Sequence, residues 1–202
     1  RKAVANIRDL EHPEGGWGIY PGGRSDLSAT VKAYFACKLA GVSPEEPWMR
    51  RARQVILDLG GLPRVNVFTK ITLALFGQYE WRGIPCMPPE IMLLPPRAPF
   101  SIYQISYWSR TVLVPLLILF HYRPVHPLPL PLGLDELYRG GRGAEGASHP
   151  RPTGLLSFKS AFLFLDRILH FYDRYHPGRS RHAALRRAEA WLIPRLKAPG
   201  GL

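Results

Sequence analysis

The chain has 202 residues, 46% of them hydrophobic and 21% charged, with 19 Gly, 21 Pro and two Cys. Such an apolar fraction excludes a disordered chain, and Gly and Pro without a short period exclude a collagen-like one; Cys37 and Cys86 cannot make a disulfide scaffold and fit a reducing cytosol. The net charge of +12 suggests an anionic surface such as a membrane leaflet, or solvated helix faces, but no basic run interleaved with aromatics or motif for nucleic acid accompanies it.

From Leu27 the apolar positions Val31, Tyr34, Phe35 and Leu39 keep helical spacing, and Gly41 marks a stop. Ser43-Pro44-Glu45-Glu46 predicts the next start, with Ser43 at the N-cap, Pro44 in the first turn and Glu46 closing a capping box. That helix uses Met49, Ala52, Ile56 and Leu59 and ends at Gly60-Gly61. A third helix is expected over 65–76, stopping at Gly77, and a fourth over 102–121, bent near Pro115. Between them, Ile84-Pro85-Cys86-Met87-Pro88-Pro89 leads into a short segment at 90–94. Residues 123–131 contain Pro124, Pro127, Pro129 and Pro131 and are expected to be extended. Together with the Gly-rich, basic stretch 139–152 they form a connecting loop over 123–152. A last pair of helices is expected over 155–175 and 181–196. Strand alternation is nowhere sustained, so the expected class is all-α. The longest apolar run, Thr111 to Phe120, is too short to span a membrane and contains Pro115.

A basic helix ending in Gly-Gly and an apolar residue recurs three times. The endings are Gly15-Gly16-Trp17, Gly60-Gly61-Leu62 and Gly200-Gly201-Leu202. Helix pairs repeated in this way stack into α/α solenoids or toroids, because one pair cannot bury its own apolar face.

The stretch Glu11-His12-Pro13-Glu14-Gly15-Gly16-Trp17-Gly18-Ile19-Tyr20-Pro21-Gly22-Gly23 resembles a QW-type repeat, the signature of squalene–hopene cyclases and related triterpene cyclases. Val67-Phe68-Thr69-Lys70, Trp81, Pro88-Pro89-Glu90-Ile91-Met92, Tyr107-Trp108-Ser109-Arg110-Thr111, Pro124-Val125-His126-Pro127-Leu128 and Asp135-Glu136-Leu137-Tyr138 carry the resemblance along essentially the whole chain. It implies an all-α, α/α toroid of QW-type repeats, here an incomplete barrel. Residues 1–202 would then be part of the N-terminal-half domain, a fragment whose partner is the missing C-terminal half, with homodimerisation left open. The repeat residues are Glu11, Gly15, Gly16 and Trp17. Glu11 departs from the family's Gln. In the last repeat Leu196 replaces Gln, Leu202 replaces Trp, and Pro194 is expected to interrupt the helix. A Leu cannot supply the side-chain hydrogen bond.

The resemblance implies an isomerase that converts squalene to polycyclic hopanoids by proton-initiated carbocation cyclisation, with no cofactor. The family's acid is a DxDD motif; none occurs in these 202 residues, so no catalytic residue is expected here. His121, His126 and His170 lack metal-ligand spacing, and no metal is expected. The resemblance assigns Trp108 to the substrate cavity, and Ile105 and Leu113 to the constriction of the substrate channel. An aromatic face steadies a cation without trapping it, while the wall holds the polyene folded. Ordinary helix core is the competing account of all three residues. An oxidosqualene or diterpene cyclase and a non-catalytic α/α-repeat scaffold are the alternatives for the whole chain.

Plotted as a helix, 155–175 places Phe158, Phe162, Leu165 and Leu169 in one apolar stripe, with Phe164 and Phe171 at its margin near Arg167 and Arg174. That pattern suits a helix lying in a membrane interface. A cyclase must also collect water-insoluble squalene from the bilayer. The expectation is monotopic attachment to the cytoplasmic face through Phe164 and Phe171, aided by the positive charge.

Overall fold

A computed structural model describes residues 2–85, 87–98, 101–141, 169 and 178–196. The helix expected over 155–175 lies outside them except for Leu169, and so does the third Gly-Gly repeat. The described residues hold six α-helices, short 3₁₀ turns and no strand. Two compact units divide the chain. One comprises Arg1–Ile84 with Val125–Arg151, the other Pro85–Pro124 with Pro152–Leu202.

In the first unit α1 spans Lys2–Asp9, α2 Leu27–Leu39, α3 Pro47–Asp58 and α4 Val67–Leu75. The carboxylate of Asp26 caps α2 by accepting from the Ala29 N–H at 2.8 Å, and Asn66 caps α4 through the Thr69 N–H at 2.9 Å. The ends fall at the predicted glycines, each closed by a reach-back across the last turn. Val42 N–H bonds the Cys37 carbonyl at 3.0 Å, Gly61 N–H that of Ile56 at 2.8 Å and Gln78 N–H that of Leu73 at 2.8 Å. Val31, Tyr34, Met49, Ala52, Ile56, Leu62, Leu73 and Leu137 are fully buried and make the core.

Two expected starts shift in this unit. Ser43 does not cap α3: its hydroxyl accepts from the Glu45 N–H at 3.2 Å in a local turn, and the helix begins at Pro47 behind Glu46, which makes no side-chain cap. Pro47 fixes its own φ and drives Glu46 out of the helical region, to ψ 138°, so no helix can run through from Ser43. Likewise α4 starts at Val67 rather than Val65, because Val65 closes a separate 3₁₀ turn at Leu62–Arg64.

Residues 125–141 return to this unit. His126 N–H bonds the Leu75 carbonyl at 2.7 Å, Leu134 N–H donates to Gln78 Oε1 at 2.9 Å, and the Tyr138 hydroxyl donates to the Gln78 carbonyl at 2.9 Å. Buried Lys38 donates to the Gly133 carbonyl and to Glu136 Oε1, the latter at 2.6 Å, and Tyr34 donates to the same carboxylate oxygen at 3.1 Å. Residues 123–129 are free of helix, as the prolines require, but the expected extension fails at Leu130–Leu132, which form a 3₁₀ turn. A 3₁₀ turn tolerates Pro131 because its first N–H groups have no internal acceptor.

In the second unit α5 spans Tyr107–Tyr122 and α6 spans Gly178–Leu196, with 3₁₀ turns at Pro89–Leu93 and Ile102–Gln104. The fourth expected helix therefore begins five residues late, behind Ser106. It continues through Pro115 and ends on Arg123, whose left-handed backbone (φ 44°) is offset by its own Nε bonding the Phe120 carbonyl at 3.2 Å. Pro194 does not interrupt α6, contrary to expectation. Among the described residues only Arg195 and Leu196 follow it in the helix, and the Arg195 Nη1 supplements this turn by donating to the Trp191 carbonyl. Met92, Ile102, Val114, Leu117 and Ala188 form the core of this unit. Arg181 of α6 pairs with Glu90 at 2.6 Å beside it, both side chains largely buried.

Candidate functional site

The loop after α1 folds by its glycines. Gly15 and Gly16 both take positive φ, 95° and 79°, which turns Trp17 inward against α2. There Thr30 Oγ1 accepts from the Trp17 N–H at 3.0 Å, the indole N–H donates to the Ile7 carbonyl at 2.7 Å, and the ring meets Trp48 edge-on at 6.2 Å. Ser25 donates to the Gly15 carbonyl at 2.6 Å. Glu11 Oε2 accepts from Arg51 Nη2 of α3 at 3.0 Å, whereas its Oε1 is buried without a hydrogen-bond partner among the described residues. The four repeat residues are thus brought together, and Glu11 engages α3 through a side chain rather than through backbone.

The second cluster sits where α5 begins. Ser106 Oγ caps the helix by accepting from the Ser109 N–H at 3.1 Å. Ile105, just before the cap, packs against the core of the second unit. Trp108, in the first turn, is 75% exposed, and its neighbour Tyr107 is 56% exposed. Leu113, five residues further on, is half-buried. Tyr107 is engaged by two guanidinium groups: Arg110 and Arg195 each lie 5.7 Å from its ring centre. Arg195 also lies 3.8 Å from the Trp191 ring centre and donates to the Tyr107 hydroxyl at 3.3 Å. Among the described residues no cation lies over Trp108. Phe164 and Phe171 lie outside the described residues.

Burial pushes the Cys37 thiol up, so it is not a ready nucleophile. Burial lowers the Lys70 ammonium, which rests over the Tyr79 ring at 5.2 Å. Burial, then the Glu136 charge, raises the Tyr34 phenol. Among the described residues no group of His, Cys, Asp and Glu could hold a metal ion, and no helix is long and apolar enough to cross a membrane.

The family model of the squalene-hopene cyclase N-terminal domain matches residues 1–202. The chain belongs to the squalene–hopene cyclase family. It is 41% identical to the protein named squalene–hopene cyclase of Zymomonas mobilis, over 97% of this chain and 29% of that protein. Its likeness to the squalene–hopene cyclase of Alicyclobacillus acidocaldarius is 38%, over 94% and 29%. To the dammaradiene synthase of Dryopteris crassirhizoma it is 36%, over 96% and 28%. The chain therefore spans less than a third of the length of these relatives. The family is the one the QW-type loop and the Tyr107–Thr111 stretch imply.

Within this cyclase segment, the sequence reading missed Lys38, Glu136, Glu90 and Arg195. A Lys among the apolar positions of α2 was a signal for the first, since a buried ammonium demands a partner. For Arg195 the signal was its spacing of four from Trp191 on one helix face.

Proposed function

We propose that this chain is a working part of a longer triterpene cyclase that turns squalene into polycyclic hopanoids by proton-initiated carbocation cyclisation. In this reading the six helices belong to an α/α toroid of QW repeats. Trp108 forms cavity wall, Ile105 and Leu113 flank the substrate channel, and the acid that protonates the terminal alkene comes from a part of the longer protein outside residues 1–202. An alkene is so weak a base that this acid must be a polarised, protonated carboxyl group. Phe164 and Phe171 contact the membrane from its cytoplasmic face, where squalene enters. The enzyme is an intramolecular isomerase and needs no cofactor.

The observation that carries the reading is Trp108 itself. A tryptophan 75% exposed at a helix start is an apolar face awaiting a partner. Beside it Tyr107 is engaged by Arg110 and Arg195, which leaves the indole as the π-surface open to a passing carbocation. A desolvated cation–π contact stabilises by about 2 kcal/mol or more.

The test is a full-length cyclase in which residues 1–202 replace the matching region of the Zymomonas mobilis protein. Trp108→Ala should release partly cyclised products, read by gas chromatography, and Trp108→Phe should do so less. An unchanged product profile for Trp108→Ala at an unchanged melting temperature would make Trp108 an ordinary packing residue.

A further inference from the structure

We infer that Arg195 is a positioning residue for Trp108: the last turn of α6 sets the direction in which the first turn of α5 presents its indole. The inference rests on the reading of Trp108 as cavity wall. Arg195 makes three connections at once. Its guanidinium stacks on Trp191, 3.8 Å from the ring centre, its Nη1 donates to the Trp191 carbonyl, and its Nε donates to the Tyr107 hydroxyl at 3.3 Å. The first two fix the guanidinium plane on α6, so the third is a bond from a rigid donor. Tyr107 is the first residue of α5, and Arg110 approaches its ring at 5.7 Å from within the same helix. Tyr107 is therefore tied at its hydroxyl by α6 and along its ring by α5.

The backbone between Tyr107 and Trp108 inherits that restraint. Beneath it, Ser106 Oγ holds the Ser109 N–H, and Thr111 donates its hydroxyl to the Trp108 carbonyl at 2.6 Å. Trp108 makes little packing of its own, being 75% exposed, so the turn that carries it sets the direction of the Cα–Cβ bond from which its indole projects. Arg195 touches neither the indole nor any reacting atom and acts only through Tyr107. Lys at this position would keep the charge but lose both the planar stack and the fork of donors.

Fluorine NMR on the chain with 5-fluorotryptophan tests this, because its five tryptophans report from both units. Arg195→Ala should shift and broaden the Trp108 and Trp191 signals and leave Trp17, Trp48 and Trp81 in place. Arg195→Lys should resemble Arg195→Ala. If Trp191 moves while Trp108 does not, or if Lys restores the parent spectrum, the inference is overturned. Should Arg195→Ala disturb all five signals, Tyr107→Phe decides instead: it removes only the hydroxyl acceptor and should still move Trp108, and an unmoved signal rejects the link. In the full-length hybrid, Arg195→Ala should raise the share of partly cyclised products in the direction of Trp108→Ala, with no further rise in the double variant. A moved Trp108 signal with products unaffected by Trp108→Ala would keep the positioning and reject the cavity wall. An unmoved signal with products altered by Trp108→Ala would do the reverse.

Discussion

Replacing Gly16 by Ala strikes the repeat loop at its tightest point, and Gly22 provides the matched control. The two glycines share nearly the same backbone, φ 79° and 75°, so a Cβ at either costs about 1–2 kcal/mol for the left-handed conformation. Both also gain ~0.4–1 kcal/mol from a stiffer unfolded chain. They differ in surroundings. A Cβ on Gly16 would lie 2.9 Å from Thr30 Oγ1, 3.1 Å from Thr30 Cγ2 and 3.2 Å from Ser25 Oγ, whereas one on Gly22 meets nothing within 4 Å. Thr30 cannot retreat freely, because its hydroxyl holds the Trp17 N–H and the residue is wholly buried. Overpacking of this kind adds roughly 1–3 kcal/mol. At roughly 2–4 °C per kcal/mol for a chain of this size, Gly16→Ala should melt about 2–12 °C below Gly22→Ala, followed by tryptophan fluorescence. Equal melting temperatures would refute the argument that contact with Thr30, rather than φ alone, reserves this position for glycine.

Lys38→Met should cost about 3 kcal/mol by denaturant unfolding, the low end of the ~3–5 kcal/mol for breaking a buried pair, since Glu136 keeps 25% exposure. Adding Glu136→Leu should recover part of that loss, and no recovery would count against an ion pair as the cause. The Tyr34 phenol, raised by burial and by Glu136, binds its proton more tightly folded than unfolded. Its contribution to stability is therefore complete below the ordinary phenol range of about 10 and falls as pH rises above it. Tyrosinate absorbance should show Tyr34 titrating above the ordinary phenol range, and Glu136→Gln should bring it back toward that range. Incubated alone with squalene, the chain should yield no hopene by gas chromatography, because DxDD is absent from its sequence; any hopene would overturn this.

Helix ends were more legible in the sequence than helix beginnings, for a physical reason. A stop needs a residue that accepts the left-handed region, and Gly41, Gly60 and Gly77 announce themselves. A start is blurred when a 3₁₀ turn precedes it, since apolar residues three apart serve a 3₁₀ turn and an α-helix alike. The turn at Ile102–Gln104 was absorbed into the following helix for that reason, and Val65, which closes the turn at Leu62–Arg64, was counted as the start of α4. Asn66 and Ser106 were the true markers, each a side-chain cap. Lys38, Glu136, Arg181 and Glu90 pair across about a hundred residues or nearly so, and nothing local encodes such distant partners.

The start of α5 also bears on the candidate site. In an unbroken helix from Ile102, Ile105 and Trp108 would stand three residues apart on one face, and a channel wall built from both would be flat and continuous. Ser106 breaks that face. Ile105 takes an extended backbone, φ −88° and ψ 160°, and packs against the core cluster, while Trp108 is left 75% exposed in the new first turn. Leu113, five positions on, lies about 140° around the axis from Trp108 at 100° per residue. The three residues assigned together to cavity and channel thus face three ways within this unit. Trp108 alone offers a large exposed apolar face, so a change in product profile should follow Trp108 substitutions far more than those at Ile105, whose effect should instead be read in the melting temperature.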